Sequence, residues 1–325
     1  NIRENCIMLK TKITELLGIE YPIIGGTMMW LSTGEFIASV SEAGGLGILA
    51  SAIYQSKEEF RDEIQKIRSL TSKPFAVNVN LFPSMRPIQN EDYIEVLIDE
   101  GVKIIETSGH EAPVKVYPPL KEAGCTLIHK CVGAKYARKA QSIGADAVTV
   151  VGYENGGAVG NLGLGTIVLV PAVVDAVDIP VIGGGGVADG RGLAAVLALG
   201  AQAAIVGTSL LLTEECPLHP KVKEALLNAA ETDTKVTMKC INAAHRFWDN
   251  AACRKAFELD EKKAPLHEVL EVVSGEKAKK TFFDGDLDAG ILATGQCVGL
   301  CHEIRPMKQL IATMAQDAEK ILSRC

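Results

Sequence analysis

The chain has 325 residues, of which 47% are hydrophobic, 5% aromatic and 22% charged, and 33 Lys plus Arg against 40 Asp plus Glu leave a net charge of −7. This is globular usage that excludes wholesale disorder, and its acidic balance argues against a general nucleic-acid or anionic-membrane binder, which needs a basic surface. No apolar run approaches the ~20 residues that span a bilayer, and the opening NIRENCIMLKTK lacks an apolar stretch ending in a small-residue cleavage site, so a cytoplasmic protein is expected.

In chain order, eight short apolar runs read as strands: YPIIGG (21–26), LGILA (46–50), FAVNVN (75–80), KIIETSG (103–109), TLIHKCV (126–132), AVTVVGYE (147–154), IPVIGGGG (179–186) and AAIVGTSLL (203–211). Amphipathic stretches such as GEFIASVSEAG, KEEFRDEIQKIRSL and AKYARKAQSIG lie between them. Continuous apolar strands are covered on both faces, and regular strand–helix alternation implies parallel pairing. Eight units predict an α/β fold, a closed (β/α)8 TIM barrel over residues 9–230. Glycines at helix ends, among them Gly44, Gly101, Gly124, Gly144 and Gly200, mark tight turns at the barrel bottom. The longer polar segments after the strands then form the top face, where chemistry sits. HPKVKEALLNAA (219–230) reads as the eighth helix. Residues 231–325 read as a C-terminal helical segment that packs on the barrel and closes the site, ending in an amphipathic helix over 303–323.

The nine cysteines are odd in number and irregular in spacing, which reads as reduced thiols rather than a disulfide framework. Cys297, Cys301 and His302 lie close together, but a structural zinc site wants paired clusters and no second cluster exists, so no metal is expected.

Glycine clusters carry the sharpest signal. IPVIGGGGVADGRG (179–192) runs a buried strand through Gly183, Gly184, Gly185 and Gly186 into a helix. Backbone amides without side chains, followed by a helix N-terminus, suit an anion. The next strand brings Gly207 and Thr208 beside that loop, and barrels commonly hold phosphate after strands seven and eight. GYENGGAVGNLGLGT (152–166) supplies Glu154, Gly156, Gly157 and Gly160 for an extended ligand. At YPIIGGTMMW (21–30), Gly25 and Gly26 let backbone approach a flat ring, on which Met28 packs unless it is ordinary core. Asn78 on strand three and Thr107 on strand four are polar in apolar strands and need partners. A flat heteroaromatic ring with a phosphate tail satisfies all of these sites, and FMN has that shape.

LKTKITELLGIEYPIIGGTMMW, SEAGGLGILAS, KPFAVNVN, GADAV, GYENGGAVG, IPVIGGGGVADG, IVGTSLL and DGDLDAGILATGQCVG follow one another over about residues 9–300. Together they resemble the 2-nitropropane dioxygenase/nitronate monooxygenase family, and within it the flavin-type enoyl-acyl-carrier-protein reductases. The resemblance implies a TIM barrel with non-covalent FMN. It implies Gly25, Gly26, Thr27 and Asn78 near the flavin ring, and Gly156, Gly157 and Gly160 along the ribityl chain. Gly185, Gly186, Gly207 and Thr208 would hold the phosphate, and Gln296 would close the site from the C-terminal part. The family usually reads E-A-G-G-H-x-G after strand six, its histidine acting as the base in nitronate oxidation. Here Ala158 stands in that place.

Lys130, His110 and Tyr153 are the catalytic candidates. His110 and Glu111 follow strand four, and Tyr153 and Glu154 end strand six. Alternation lets only one of His129 and Lys130 point into the barrel. Lys130 would stabilise a developing enolate, a nitronate or a reduced flavin anion, or else pair with Glu106 or Glu154. His219, His245, His267 and His302 lie outside the barrel-top loops and read as structural or exposed. The expected activity is an FMN-dependent oxidoreductase that takes electrons from NAD(P)H and reduces an activated C=C bond of a small-molecule or thioester-linked substrate. Nitronate monooxygenase and an inert flavin-binding protein are the alternatives. A homodimer is expected only because such pairs are common.

Overall fold

The computed structural model describes residues 9–81, 88–109 and 112–324. Strands β1 (Ile23–Gly25), β2 (Gly47–Ala50), β3 (Phe75–Asn80), β4 (Ile104–Ser108), β5 (Thr126–Cys131) and β6 (Ala147–Val151) precede a two-residue strand, β7 (Gly157–Ala158). β8 (Val181–Gly184) and β9 (Ala203–Val206) follow, then β10 (Thr234–Thr237) and β11 (His245–Trp248). One parallel sheet runs in the order β1-β9-β8-β6-β5-β4-β3-β2. Its two edges meet where the Leu46 amide donates to Ile23 O at 3.0 Å and the Gly25 amide donates to Leu46 O at 2.8 Å. The expected (β/α)8 barrel is therefore present.

Parity along each strand decides what faces the lumen. Ile24, Ile48, Ala76, Ile104, Ile128, Ala147, Ile182, Ala203 and Ile205 form one buried cluster inside the barrel. Val77, Val79, Ile105, Leu127 and Val148 join the larger cluster between sheet and helices. A short helix, Lys12–Leu17, adds Ile13 and Leu17 to the inner cluster and so plugs one end. The side chains of Thr11 and Thr14 cap its start reciprocally, and Thr11 Oγ1 donates to Gln202 O at 2.6 Å, which ties the plug to the barrel.

Two expectations about the C-terminal part are corrected. Helix Pro220–Leu227 is not the eighth helix of the ring, because it packs on the turns Thr208–Leu212 and Gln296–Leu300. The ring position is taken by Met307–Leu322, which lies between Gly190–Ala198 and Gly34–Glu42. Its buried face (Met307, Leu310, Ile311, Met314, Ala315 and Ala318) follows helical periodicity. Residues 231–280 are also not purely helical. Besides helices Ala251–Glu261, Leu266–Val273 and Gly275–Lys279 they contain β10 and β11, which join β7 in an antiparallel sheet of order β10-β11-β7.

Segment 290–297 fastens this small sheet to the barrel. The Trp248 amide donates to Leu292 O at 2.9 Å, and the Gln296 amide donates to Glu154 O at 3.0 Å. Between them the Gly295 amide donates to Thr208 Oγ1 at 2.9 Å.

Candidate active site

A cavity of about 690 Å³ opens over the C-terminal ends of the barrel strands. That is the size of a site for a cofactor-sized ligand. The barrel supplies its floor, and residues such as Asn242, His245, Phe247, Leu270, Phe282 and Ala293 supply its roof.

The floor is polar and buried. In-register pairing sets Asn78 beside Glu106 and Asn80 beside Ser108. Asn78 Nδ2 donates to Glu106 Oε2 at 2.7 Å, and Thr27 Oγ1 donates to the same oxygen at 3.2 Å. Glu106 Oε1 is buried with no partner among the described residues. Burial pushes the Glu106 carboxyl above the ordinary range, while the nearby Lys130 charge and the two donors pull the other way. Lys130 lines the cavity on β5, where it pairs in register with Ser108. The floor is thus a buried carboxyl group near a lysine, with one oxygen unspoken for.

Two glycine loops form one end. Gly185 and Gly186 follow β8 with φ of +99° and +79°, and Gly207 and Thr208 follow β9. All four line the cavity. Among the described residues the amides of Gly185 and Gly186 donate to no protein carbonyl. A methyl built on Gly207 meets nothing nearer than Met28 Sδ at 3.9 Å, so that glycine opens onto the cavity. This is a cradle of backbone donors suited to an anion.

The structure sorts the sequence candidates. Gly26, Thr27, Met28, Asn78, Lys130, Glu154, Gly156, Gly157, Gly160, Gly185, Gly186, Gly207 and Thr208 line the cavity, as does Ala158. Gly25 does not, since a side chain there would meet Val40 and Leu210 at 3.3 Å on the helix side. Gly184 is a packing residue, where an added methyl would strike Ile205. Thr107 points away from the lumen, its hydroxyl 3.3 Å from Tyr117 Oη and 2.9 Å from His129 Nδ1. Tyr153 faces the small sheet, with the Arg246 guanidinium 5.0 Å above its ring, and so is not placed to donate a proton to a bound molecule. Gln296 contributes its backbone clasp rather than a cavity wall. His110 lies outside the described residues.

Two cavity residues carry structural duties as well. Glu154 accepts from the Thr166 amide at 3.1 Å and from Thr166 Oγ1 at 3.0 Å, so its carboxylate holds the N-terminus of helix Thr166–Val174 and is not paired with Lys130. Gly156 is a glycine because the backbone of Thr294 and Gly295 passes within 2.7 Å of where its Cβ would stand.

Two residues are added by the fold. Glu106 belongs to the floor and is legible once Asn78 is set facing inward, because their strands pair in register. His245, read from the sequence as structural or exposed, lines the cavity on β11, directly across from Ala158.

His129 makes a pH test possible. Burial pushes its imidazolium down from 6.5 to about 4. The unfolded chain then takes up this proton first as pH falls. The stability contributed by the neutral ring is complete above about pH 6.5 and is lost progressively down to about pH 4. At 1.36 kcal/mol per unit, urea unfolding at about pH 5 should show a loss of about 2 kcal/mol against neutral pH. His129→Asn, which keeps a polar atom near Thr107, should remove that part of the pH dependence.

Among the described residues no helix is long and apolar enough to cross a membrane. Residues 10–317 match the nitronate monooxygenase family model. The chain is similar to (3aS,4S,5R,7aS)-5-hydroxy-7a-methyl-1-oxo-octahydro-1H-indene-4-carboxyl-CoA dehydrogenase of Rhodococcus jostii, at 36% identity over 96% of each chain. Its structure is similar to FabK from Thermotoga maritima, with a TM-score of 0.90, 36% identity and coverage of 97% of this chain and 98% of that one. It is also similar to a nitroalkane oxidase from Streptomyces ansochromogenes, with a TM-score of 0.83, 28% identity and coverage of 96% and 99%. A match over almost the whole length, on a barrel with its cavity at the strand ends, makes this chain a member of the nitronate monooxygenase family and an oxidoreductase.

Proposed function

We propose that the protein is an FMN-dependent oxidoreductase that uses NAD(P)H to reduce a C=C bond conjugated to a thioester or ketone carbonyl. The observation that carries this reading is Lys130 lining the cavity close enough to the buried Glu106 for its charge to act on it. An ammonium beside the acceptor's carbonyl stabilises the oxyanion of an enolate as it forms.

The residues present fit the cofactor. The amides of Gly185 and Gly186, with Gly207 and Thr208, suit a phosphate, and Gly26, Thr27, Met28 and Asn78 suit the ring. FMN, when bound, supplies hydride transfer to and from carbon. The chain's own part is to orient the acceptor, exclude water beneath the roof of residues 231–300, and hold charge at Lys130. We infer a CoA thioester as the substrate class, supported by the likeness to a carboxyl-CoA dehydrogenase. A cytoplasmic setting accords with the described cysteines, all of them free thiols.

Ala158 lines the cavity, so the nitronate reaction implied by the sequence resemblance lacks its histidine at that position. The test is anaerobic mixing of the yellow protein with NADH and NADPH, then with crotonyl-CoA. Bleaching by a nicotinamide and recovery of colour with crotonyl-CoA is the expected result. Bleaching by the nitronate of 2-nitropropane alone would establish the monooxygenase instead. Inertness to all of them would leave a flavin-binding protein without catalysis. Bleaching by a saturated acyl-CoA alone would mark the dehydrogenase direction.

A further inference from the structure

We infer that His245 is the proton-transferring residue of this cavity, a role that rests on the function proposed above. Its position is set by β-sheet register. His245 pairs with Ala158, and Arg246 with Gly157, across β11 and β7. Directly opposed residues of an antiparallel pair project to the same face, with Cβ atoms about 5 Å apart. The methyl of Ala158 and the imidazole of His245 therefore share one wall, and both line the cavity. Residues two apart on a strand also share a face, so Phe247 stands beside His245. The two rings are stacked at 5.9 Å with an interplanar angle of 12°. Arg246, of opposite parity, turns away to Thr234 Oγ1 and Tyr153 O.

One nitrogen of the ring is held by backbone. His245 Nδ1 lies 2.7 Å from Ala243 O. A carbonyl only accepts, so Nδ1 carries a hydrogen in both protonation states, and the exchangeable proton belongs to Nε2. A backbone carbonyl on one ring nitrogen is the usual means of fixing tautomer and ring plane for work at the other.

The step balances. Hydride derived from NAD(P)H adds to the β-carbon of the enoyl thioester, the π bond breaks, and the electron pair develops as an enolate over Lys130. Nε2–H of the imidazolium then protonates the α-carbon. The substrate gains two electrons and two hydrogens, the nicotinamide is oxidised, and neutral His245 recovers its proton from water.

Crotonyl-CoA reduction by His245→Ala should fall 10²–10³-fold, within the range for loss of a positioned acid or base, while bleaching by NADH or NADPH stays within about twofold. Free imidazole should restore part of the lost rate. Ala158→His in the His245→Ala background should restore more, because it returns an imidazole to the same wall from the facing strand. An unchanged rate in His245→Ala overturns the proposal. So does a folded, flavin-loaded His245→Ala protein whose lost rate neither imidazole nor Ala158→His recovers, since that outcome marks a structural ring. If no nicotinamide bleaches the wild-type protein, the proposed function has failed and this role falls with it, a result told apart by the first half-reaction alone.

Discussion

Replacing Lys130 with Met should reduce crotonyl-CoA turnover 10²–10³-fold while changing KM little. In the proposed reaction the ammonium stabilises charge that exists only as the enolate forms, and removing one such group costs about 3–4 kcal/mol of transition-state stabilisation. Lys130→Arg, which keeps the charge on a bulkier head, should recover only part of the rate. A second readout is independent of catalysis. Lys130 opposes the burial that raises the Glu106 carboxyl, so its loss raises that group further. With a folded pKa above the unfolded one, the protonated carboxyl contributes stability that is fully present below about pH 4.5 and is lost as pH rises through the folded value. Relative to wild type, Lys130→Met should therefore be less stable at pH 8 than at pH 5 in urea unfolding. An equal difference at both values would show that the two groups do not interact.

If the cavity holds the proposed FMN, Gly185→Ala should strip the purified protein of flavin absorbance, and it should destabilise the fold by about 3 kcal/mol. Two costs combine at this position. The backbone sits at φ +99°, where a Cβ is strained, and the added methyl would stand 2.6 Å from Gly152 N and 2.7 Å from Thr166 Oγ1. Strain of each kind costs about 1–3 kcal/mol. Relief requires the loop to leave Thr166, whose hydroxyl oxygen lies 2.8 Å from Gly185 O, and that movement turns the two glycine amides away from the cavity. Gly163→Ala is the control. Its φ is also positive, +63°, but the methyl meets nothing within 4 Å, so about 1 kcal/mol is expected and the colour should remain.

The barrel was legible because each of its strands is an apolar run long enough to be covered on both faces. β10 and β11 escaped that reading. TKVT and HRFW are four residues each, mix charge with apolar side chains and pair with each other, and only β11 reaches β7, a strand of two residues nearly ninety positions earlier. The same long-range pairing hid His245, whose relation to Ala158 exists only in register. Thr107 and Glu106 illustrate a parity error. A hydroxyl in an apolar strand stands out in the sequence, yet the inward setting of Asn78 already assigns the lumen to Glu106. Tyr153 was misplaced because the chain turns at Gly152 and leaves the strand before reaching it. The glycine loops line the cavity, but some of their glycines serve other backbone, as Gly156 does for Thr294 and Gly295.

Helix Met307–Leu322 imposes an order on biosynthesis. The flanks it covers, on Gly34–Glu42 and Gly190–Ala198, leave the ribosome long before it does, the nearer by 307 − 198 = 109 positions. Until then a nascent chain carries every strand of the barrel but bears an apolar gap in its outer wall. Such a gap is a binding place for chaperones and a hazard for self-association. A stop codon at position 307 would make that temporary state permanent.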